Sequence, residues 1–248
     1  MINVPLAAEV IAHLGPLPIS NAFVNALIVS ALLIIGALVL RGTMREIPGR
    51  FQNAVELLFD FLLSFFDKVT GDRQKSLKCF PIVTTFFLFI LCSNWFGLVP
   101  GTGSIGVWHV VHGELELVPI LRPANSDLNL TIAMSLVSVI ASHVIGIFTL
   151  GFFTHANKFI QLGTIWQALK TFNPIKILVA FVSFIVGIIE IFGEMAKVAS
   201  LSLRLFGNIF AGEVLITVIG SLVAFIAPLP FMAIEILVGM VQATVFSV

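Results

Sequence analysis

Residues 200–220 read SLSLRLFGNIFAGEVLITVIG, an apolar run in which Arg204 is the one basic residue. An arginine guanidinium stays protonated at every physiological pH. Placing that charge near the centre of a bilayer costs about 2.5–3.5 kcal/mol on insertion scales. The run lies in a longer apolar region, residues 175–219, which exceeds one straight bilayer crossing at about 1.5 Å per residue. We therefore predict a membrane helix that carries a functional positive charge.

The composition extends this prediction to the whole chain. It is 58% hydrophobic and only 10% charged, whereas a typical soluble domain is about 25% charged. We predict an all-α polytopic membrane protein, residues 1–248 forming a single membrane domain with about five membrane helices. The other apolar regions that predict crossings are residues 21–40, 81–100, 128–153 and 221–248.

Basic residues are distributed unevenly among the connecting segments. Seven of the 13 Lys and Arg residues lie in residues 41–80, whereas residues 1–20 carry none and residues 101–127 carry only Arg122. By the positive-inside rule, the first of these segments is cytoplasmic and the other two are external. The loop that begins at residue 154 is also expected in the cytoplasm. We expect the external loop to be irregular.

Residues 41–80 also contain a pattern typical of an amphipathic helix, which we expect to lie along the cytoplasmic face of the bilayer. An ordinary soluble linker helix is the alternative. The apolar positions at helical spacing are Phe51, Val55, Leu58, Phe59, Leu62 and Phe66.

Ionisable side chains are few in the last two apolar regions, and helix geometry sorts them. At about 100° per residue, Arg204 shares one stripe with three polar residues, and Glu213 falls on the opposite face about 13 Å along the axis. Glu235 and Gln242 are seven residues apart and share a face. The polar residues on the stripe of Arg204 are Lys197, Ser200 and Asn208.

A fixed cation beside titratable carboxylates is what a proton relay in a membrane needs. The two titratable carboxylates are Glu213 and Glu235, and the amide of Gln242 accompanies them. Glu190 falls within about 40° of the stripe of Arg204. The alternative is that Arg204 pairs with Glu190 or Glu213 only to pack two helices together.

Several further polar residues are weaker candidates for the same path. Glu194 alternatively lies near the membrane interface, and His143 alternatively packs between helices. Asn94 and Asp127, near the outer ends of the second and third apolar regions, either line an aqueous access path or mark the interface. The complete set of weaker candidates is Glu194, Lys197, Ser200, Asn94, Asp127 and His143.

Two other classes of function fit a polytopic chain. A self-contained secondary transporter would use Arg204 to bind an anionic substrate, but such a protein is expected to have an internal repeat and none is visible. A membrane enzyme would need clustered His, Cys or acidic residues, and the five histidines are scattered. We expect no metal site and no cofactor.

The motif SLSLRLFGNIFAGE, with Lys197 upstream of Arg204, resembles subunit a of F-type ATP synthases. The resemblance extends in order through NWFGLVPG at residues 94–101, PANSDLNLT at 123–131 and VGMVQATVFSV at 238–248. It covers most of the chain.

The resemblance implies a stator that conducts protons through two half-channels to and from a rotating ring of c subunits, each with a carboxylate at mid-membrane. Arg204 would attract the deprotonated ring carboxylate and block direct leakage. Glu190 would lie nearer the cytoplasmic side. Two acids stand where other members often have one histidine, so a coupled titration of the pair is expected, in either order. The external half-channel residues would be Glu213, Glu235, Gln242 and Asn208.

The family also implies an architecture and partners. Residues 154–219 would hold a cytoplasmic loop and a long, strongly tilted helix, and residues 221–248 a final tilted helix. The partners would be the c-ring, peripheral-stalk b subunits and, indirectly, the soluble ATPase head. The chain would lie in the bacterial inner membrane, and it would not be an enzyme by itself.

Overall fold

The computed structural model of this protein describes residues 5–99, 106–111, 114–160, 174–223 and 226–248. The chain divides into two compact units, one made of Met1–Thr131 and Arg204–Val248, the other of Ile132–Leu203. Part of the predicted cytoplasmic loop, residues 161–173, lies outside the described residues.

Long helices make up most of both units. The first unit holds α1 (Asn21–Thr43), α2 (Arg50–Thr70), α3 (Arg73–Gly97) and α7 (Pro228–Ser247). The second unit holds most of α4 (Leu128–Leu150) and all of α5 (Phe152–Ile160). Helix α6 (Pro174–Leu222) begins in the second unit and ends in the first.

Five of the described helices are long and apolar enough to cross a membrane, and their outward side chains are largely apolar. The predicted fold class, an all-α polytopic membrane protein, is confirmed. The five segments are Asn21–Thr43, Arg73–Gly97, Leu128–Thr149, Leu178–Leu222 and Pro228–Ser247.

Helix α6 has 49 residues, which gives a length of about 74 Å at 1.5 Å per residue. A bilayer core is about 30 Å thick. The helix is therefore much too long for a perpendicular crossing, as the sequence predicted. Helix α7, with 20 residues, is about the length of one crossing. The tilt of either helix in a membrane stays a prediction.

The amphipathic pattern in residues 41–80 does form a helix, α2. Its apolar side buries Leu62, Leu63 and Phe66, while Gln52 and Glu56 hydrogen-bond to each other on the exposed side. Helix α2 ends at Gly71, whose φ of 67° is a left-handed conformation that glycine adopts without strain.

Helix α3 begins directly after this turn and is the central helix of the first unit. The side chain of Asp72 accepts from the backbone N–H of Gln74 at 2.9 Å and caps the helix. That hydrogen bond lowers the pKa of Asp72. Phe87 and Ile90 of α3 are fully buried. Trp95 Nε1 donates to the Ile236 carbonyl of α7 at 3.2 Å.

Two short antiparallel hairpins accompany the helices. Strands β1 (Val10–Leu14) and β2 (Leu17–Ser20) precede α1, and strands β3 (Gly106–Val111) and β4 (Glu114–Pro119) lie between α3 and α4. The prediction of an irregular loop over residues 101–127 was therefore wrong in part. The alternation in ELELVP, residues 114–119, is typical of a strand, and its pairing with β3 completes the hairpin.

Candidate functional site

A cavity of about 460 Å³ lies within the first unit. Its walls come from the end of α3, the segment after β4, the C-terminal part of α6 and the start of α7. Most of the lining is apolar, which is usual for a binding cavity, and a few polar groups converge on it. The polar side chains are those of Asn94, Arg122, Glu213, Thr217 and Glu235.

Arg122 is the most buried charge of this cavity, with 3% of its side chain exposed. Its Nε donates to Glu213 Oε1 at 2.9 Å and to Oε2 at 3.2 Å. The two terminal nitrogens donate to the backbone carbonyls of Pro5 at 2.9 Å and Ala7 at 3.2 Å. The guanidinium carbon lies 5.9 Å from the ring centroid of Phe210, within cation–π range. The cation is therefore held by one carboxylate, two carbonyls and an aromatic ring.

Glu235, on α7, also lines the cavity. Its carboxyl group packs against Gly212 of α6 so closely that a Cβ atom at that glycine would overlap it. Its Oε1 is buried and has no hydrogen-bond partner among the described residues. The carboxyl group can occupy this position because Gly212 has no side chain.

Next to the cavity, buried amides connect three elements. Asn125 Nδ2 donates to Asn94 Oδ1 at 2.6 Å and to the Ile90 carbonyl at 3.4 Å. Asn25 of α1 donates to the Arg122 carbonyl at 2.7 Å. These hydrogen bonds fix the segment that carries Arg122 between α1 and α3. Asn94, which the sequence analysis left as either a path or an interface residue, is buried and lines the cavity.

Asp127 is buried beside these amides but does not line the cavity as described. Its Oδ1 accepts from the backbone N–H of Asn129 at 2.9 Å. That contact is typical of a residue that caps the first turn of a helix, here α4. The Asp127 carboxylate thus stabilises the start of α4.

Arg204 and Asn208 have exposed side chains one turn apart on α6. Gln242 is half-buried on α7, two turns beyond Glu235. The stripe predicted for Arg204 and Asn208 therefore lies on an exposed face, whereas Glu213 points into the cavity.

The remaining candidates lie in the second unit. Lys197 Nζ donates to Glu194 Oε1 at 2.7 Å, and Glu194 Oε2 lies 3.7 Å from His143 Nε2. His143 Nδ1 is 3.2 Å from Nε2 of His155, a residue that the sequence analysis did not select. These four side chains form a continuous row of polar contacts.

Two other candidates belong to the second unit. Glu190 is half-buried and Ser200 exposed. Within the described ranges, no group of three or more His, Cys, Asp and Glu side chains could hold a metal ion.

Arg122 is the charged residue of this cavity that sequence reasoning missed. In the sequence it stands out only as the one basic residue of residues 101–127. The available signal was its position directly before the motif PANSDLNLT, within a segment that has no other Lys or Arg.

Comparison with known proteins agrees with this architecture. The family model described as ATP synthase A chain matches residues 23–248. A protein called ATP synthase subunit a from Moorella thermoacetica is 30% identical over 237 residues, 96% of this chain and 90% of that protein. Those from Gloeobacter violaceus and Geotalea uraniireducens are each 32% identical, over 99% and 94% of this chain and 89% and 87% of their own lengths. The resemblance noted from the motifs is confirmed, and the chain belongs to the ATP synthase A chain family.

Proposed function

We propose that this chain is the proton-conducting stator subunit of an ATP synthase, working beside a rotating ring of c subunits. The observation that carries the proposal is Arg204, a permanent cation on an exposed face of the membrane helix α6 in a chain of this family. Partners of the same assembly would be peripheral-stalk b subunits and the soluble ATPase head.

Arg204 has the role of holding a ring carboxylate after that carboxylate has lost its proton. A guanidinium cannot take up or release protons here, so it acts as a fixed charge and a barrier to protons. Without it, protons would pass between the two half-paths with no rotation. Asn208, one turn away on the same exposed face, supplies a polar neighbour.

The external half-path is the cavity of the first unit, with Glu235 and Glu213 on its walls. Buried polar atoms without a protein partner are the usual hydrogen-bonding sites of internal water. Asn94 Nδ2 and Glu235 Oε1 are two such atoms beside this cavity. Gln242, two turns beyond Glu235 on α7, would extend the half-path past the cavity.

On the cytoplasmic half-path, Glu190 receives the proton that leaves the ring. It lies fourteen residues before Arg204 in the sequence. The neighbouring pair of Glu194 and Lys197 supplies further exchangeable groups on the same helix. In the sequence, the fixed cation of Arg204 stands between Glu190 and Glu213.

The direction of rotation follows from the membrane potential and the cost of burying charge. A protonated ring carboxyl can face lipid at small cost, whereas an ionised one cannot. Each elementary charge that crosses 100 mV releases about 2.3 kcal/mol. Protons that enter outside and leave at the cytoplasm therefore drive the ring one way.

We further propose that the chain lies in the bacterial inner membrane with its N-terminus outside. The cluster of basic residues in residues 41–80 supports this orientation. Membership in the ATP synthase A chain family leaves the alternative of a self-contained secondary transporter without support.

Copurification tests the assignment of partners. An affinity tag on a subunit of the soluble head, followed by extraction in mild detergent, should recover this chain together with the c-ring and the b subunits. The same preparation in a denaturing detergent should separate them, which controls for aggregation. Recovery of this chain free of ring and head under mild conditions would contradict the proposal.

A further inference from the structure

Two histidines and a carboxylate from three different helices meet in the second unit. His143 lies on α4, His155 on α5 and Glu194 on α6. We propose that the two imidazoles carry protons from Glu194 toward the cytoplasm, as the last step of the cytoplasmic half-path. The inference rests on the proposed function and deepens its exit side.

The contacts between these side chains are continuous. Glu194 Oε2 lies 3.7 Å from Nε2 of His143, and a small rotation of either side chain would bring the two atoms to hydrogen-bond distance. His143 Nδ1 already lies 3.2 Å from Nε2 of His155. On the other side of the carboxylate, Lys197 Nζ donates to Oε1 of Glu194 at 2.7 Å. The lysine thus holds one carboxylate oxygen while the other faces the imidazole.

Packing fixes the position of the His155 ring. A Cβ atom at Gly146 of α4 would lie 2.8 Å from Cε1 and 2.9 Å from Nδ1 of this ring, so the ring depends on a residue without a side chain. The ring of Phe159 stands edge-on to both imidazoles, with centroids 5.6 Å from His143 and 5.7 Å from His155. The two imidazoles are therefore held in contact with each other.

The far end of the row is His155 Nδ1. This atom is buried and has no hydrogen-bond partner among the described residues. It can therefore release or take up a proton without breaking a hydrogen bond within the part of the chain that the structure describes.

The row begins beside a residue of the proposed exit. Glu190 lies one turn before Glu194 on α6, and residues four apart are neighbours on a helix surface. His155 belongs to the segment that begins at residue 154, for which a cytoplasmic location is expected from the distribution of basic residues. The row would thus lead from the membrane helix α6 toward the cytoplasm.

Imidazole is suited to this task because one of its nitrogens accepts a proton while the other donates one. Its charge also changes within the physiological range of pH. A proton that passes from Glu194 to Nε2 of His143 releases the proton on Nδ1, which moves to Nε2 of His155. His155 then gives its own Nδ1 proton to water. One proton enters the row and one leaves it, and exchange with water restores the starting tautomers.

The test is proton flux through the membrane sector in inverted vesicles, whose cytoplasmic face points into the medium. The soluble head is removed, and flux is expressed per assembled complex. His155→Gln removes the titratable ring and should lower flux about tenfold, less than the roughly hundredfold effect typical of a positioned acid–base group, because water carries part of the flow. His155→Glu has the size of His155→Gln but can carry protons, so it should restore most of the loss. His13→Gln changes an exposed histidine of β1 and should conduct like the wild type.

A mobile buffer supplies a readout that a merely structural role would not move. The zwitterionic buffer MES does not cross the membrane, so it reaches only the cytoplasmic face of these vesicles. Raising its concentration at constant pH should increase flux through His155→Gln, because the buffer then removes protons that the imidazole no longer carries. It should have little effect on the wild type. His143→Gln should respond like His155→Gln, since the two rings act in series, and it provides a second series if one variant fails to assemble.

The inference would be overturned by wild-type flux in both glutamine variants, or by equal flux in His155→Gln and His155→Glu. An equal effect of MES on the wild type and on the glutamine variants would also overturn it. If wild-type vesicles conduct no protons at all, the proposed function fails instead, so the two failures are distinguishable.

Discussion

At the scale of single residues, Gly212 is the position where helix packing adjoins the proposed proton path. A Cβ atom there would overlap the carboxyl group of Glu235, which is the flexible end of a side chain rather than backbone. The carboxyl group can rotate away, so the helix need not be disrupted. Glycine at this site therefore determines the position of the Glu235 carboxyl group. It has less influence on the formation of α6.

We predict that Gly212→Ala lowers proton flux about tenfold to a hundredfold, because a shift of about 1 Å in a reacting group has effects of this size. The thermal stability of the extracted complex should not fall, since alanine favours a helix over glycine by about 0.5–1 kcal/mol. The matched control is Gly36→Ala in α1, where a Cβ atom would meet nothing within 4 Å. Wild-type flux in Gly212→Ala would contradict this placement of Glu235.

Sequence alone could identify the residues whose burial in the membrane has a high free-energy cost, because that cost can be judged from the surrounding sequence. An ionisable group inside an apolar run is expensive, which is why Arg204, Glu213 and Glu235 could be selected. Arg122 could not be selected in this way, because it precedes a helix instead of lying within one. Its partner is 91 residues away, and no local pattern predicts a contact of that range.

At the scale of elements, the end of α3 depends on a close contact with the segment before α4. A Cβ atom at Gly97 would overlap the ring of Pro123, which cannot rotate away as a longer side chain can. The contact adjoins the buried amides of Asn94 and Asn125. Gly97 is therefore a packing glycine, in contrast to Gly212.

We expect Gly97→Ala to destabilise the first unit by about 1–3 kcal/mol, the usual cost of overpacking. The measurement is the temperature at which the chain is lost from the detergent-extracted complex, with Gly36→Ala as the control. If this dissociation temperature does not change, the segment after β4 can shift to accommodate the added methyl group. That result would contradict a rigid cavity wall at Pro123.

Helices were predictable at this scale because apolar runs of about 20 residues have few other structures in a membrane. The length of α6 and the amphipathic nature of α2 followed from the same patterns. The hairpin of β3 and β4 was missed because its strands have only six residues each. Short alternating segments depend on their partner strand more than on their own sequence.

At the scale of the whole molecule, the protein belongs to a family whose members are subunits of a larger complex. Its outward side chains are largely apolar, which suits lipid, and Arg204 is a polar exception on the exposed face of α6. The family could be recognised from motifs spread over most of the chain. The counter-ion proposed for Arg204 lies on another subunit, and a single sequence cannot describe a contact between two chains.

The most direct test of the account compares ATP synthesis and passive proton leak in vesicles that contain Arg204→Ala. ATP synthesis should fall to background while protons still leak through the membrane sector after the soluble head is removed. Arg41→Ala, which removes an exposed arginine at the end of α1, should retain both activities at the wild-type level. Normal ATP synthesis with Arg204→Ala would contradict the claim that this one cation couples proton flow to rotation.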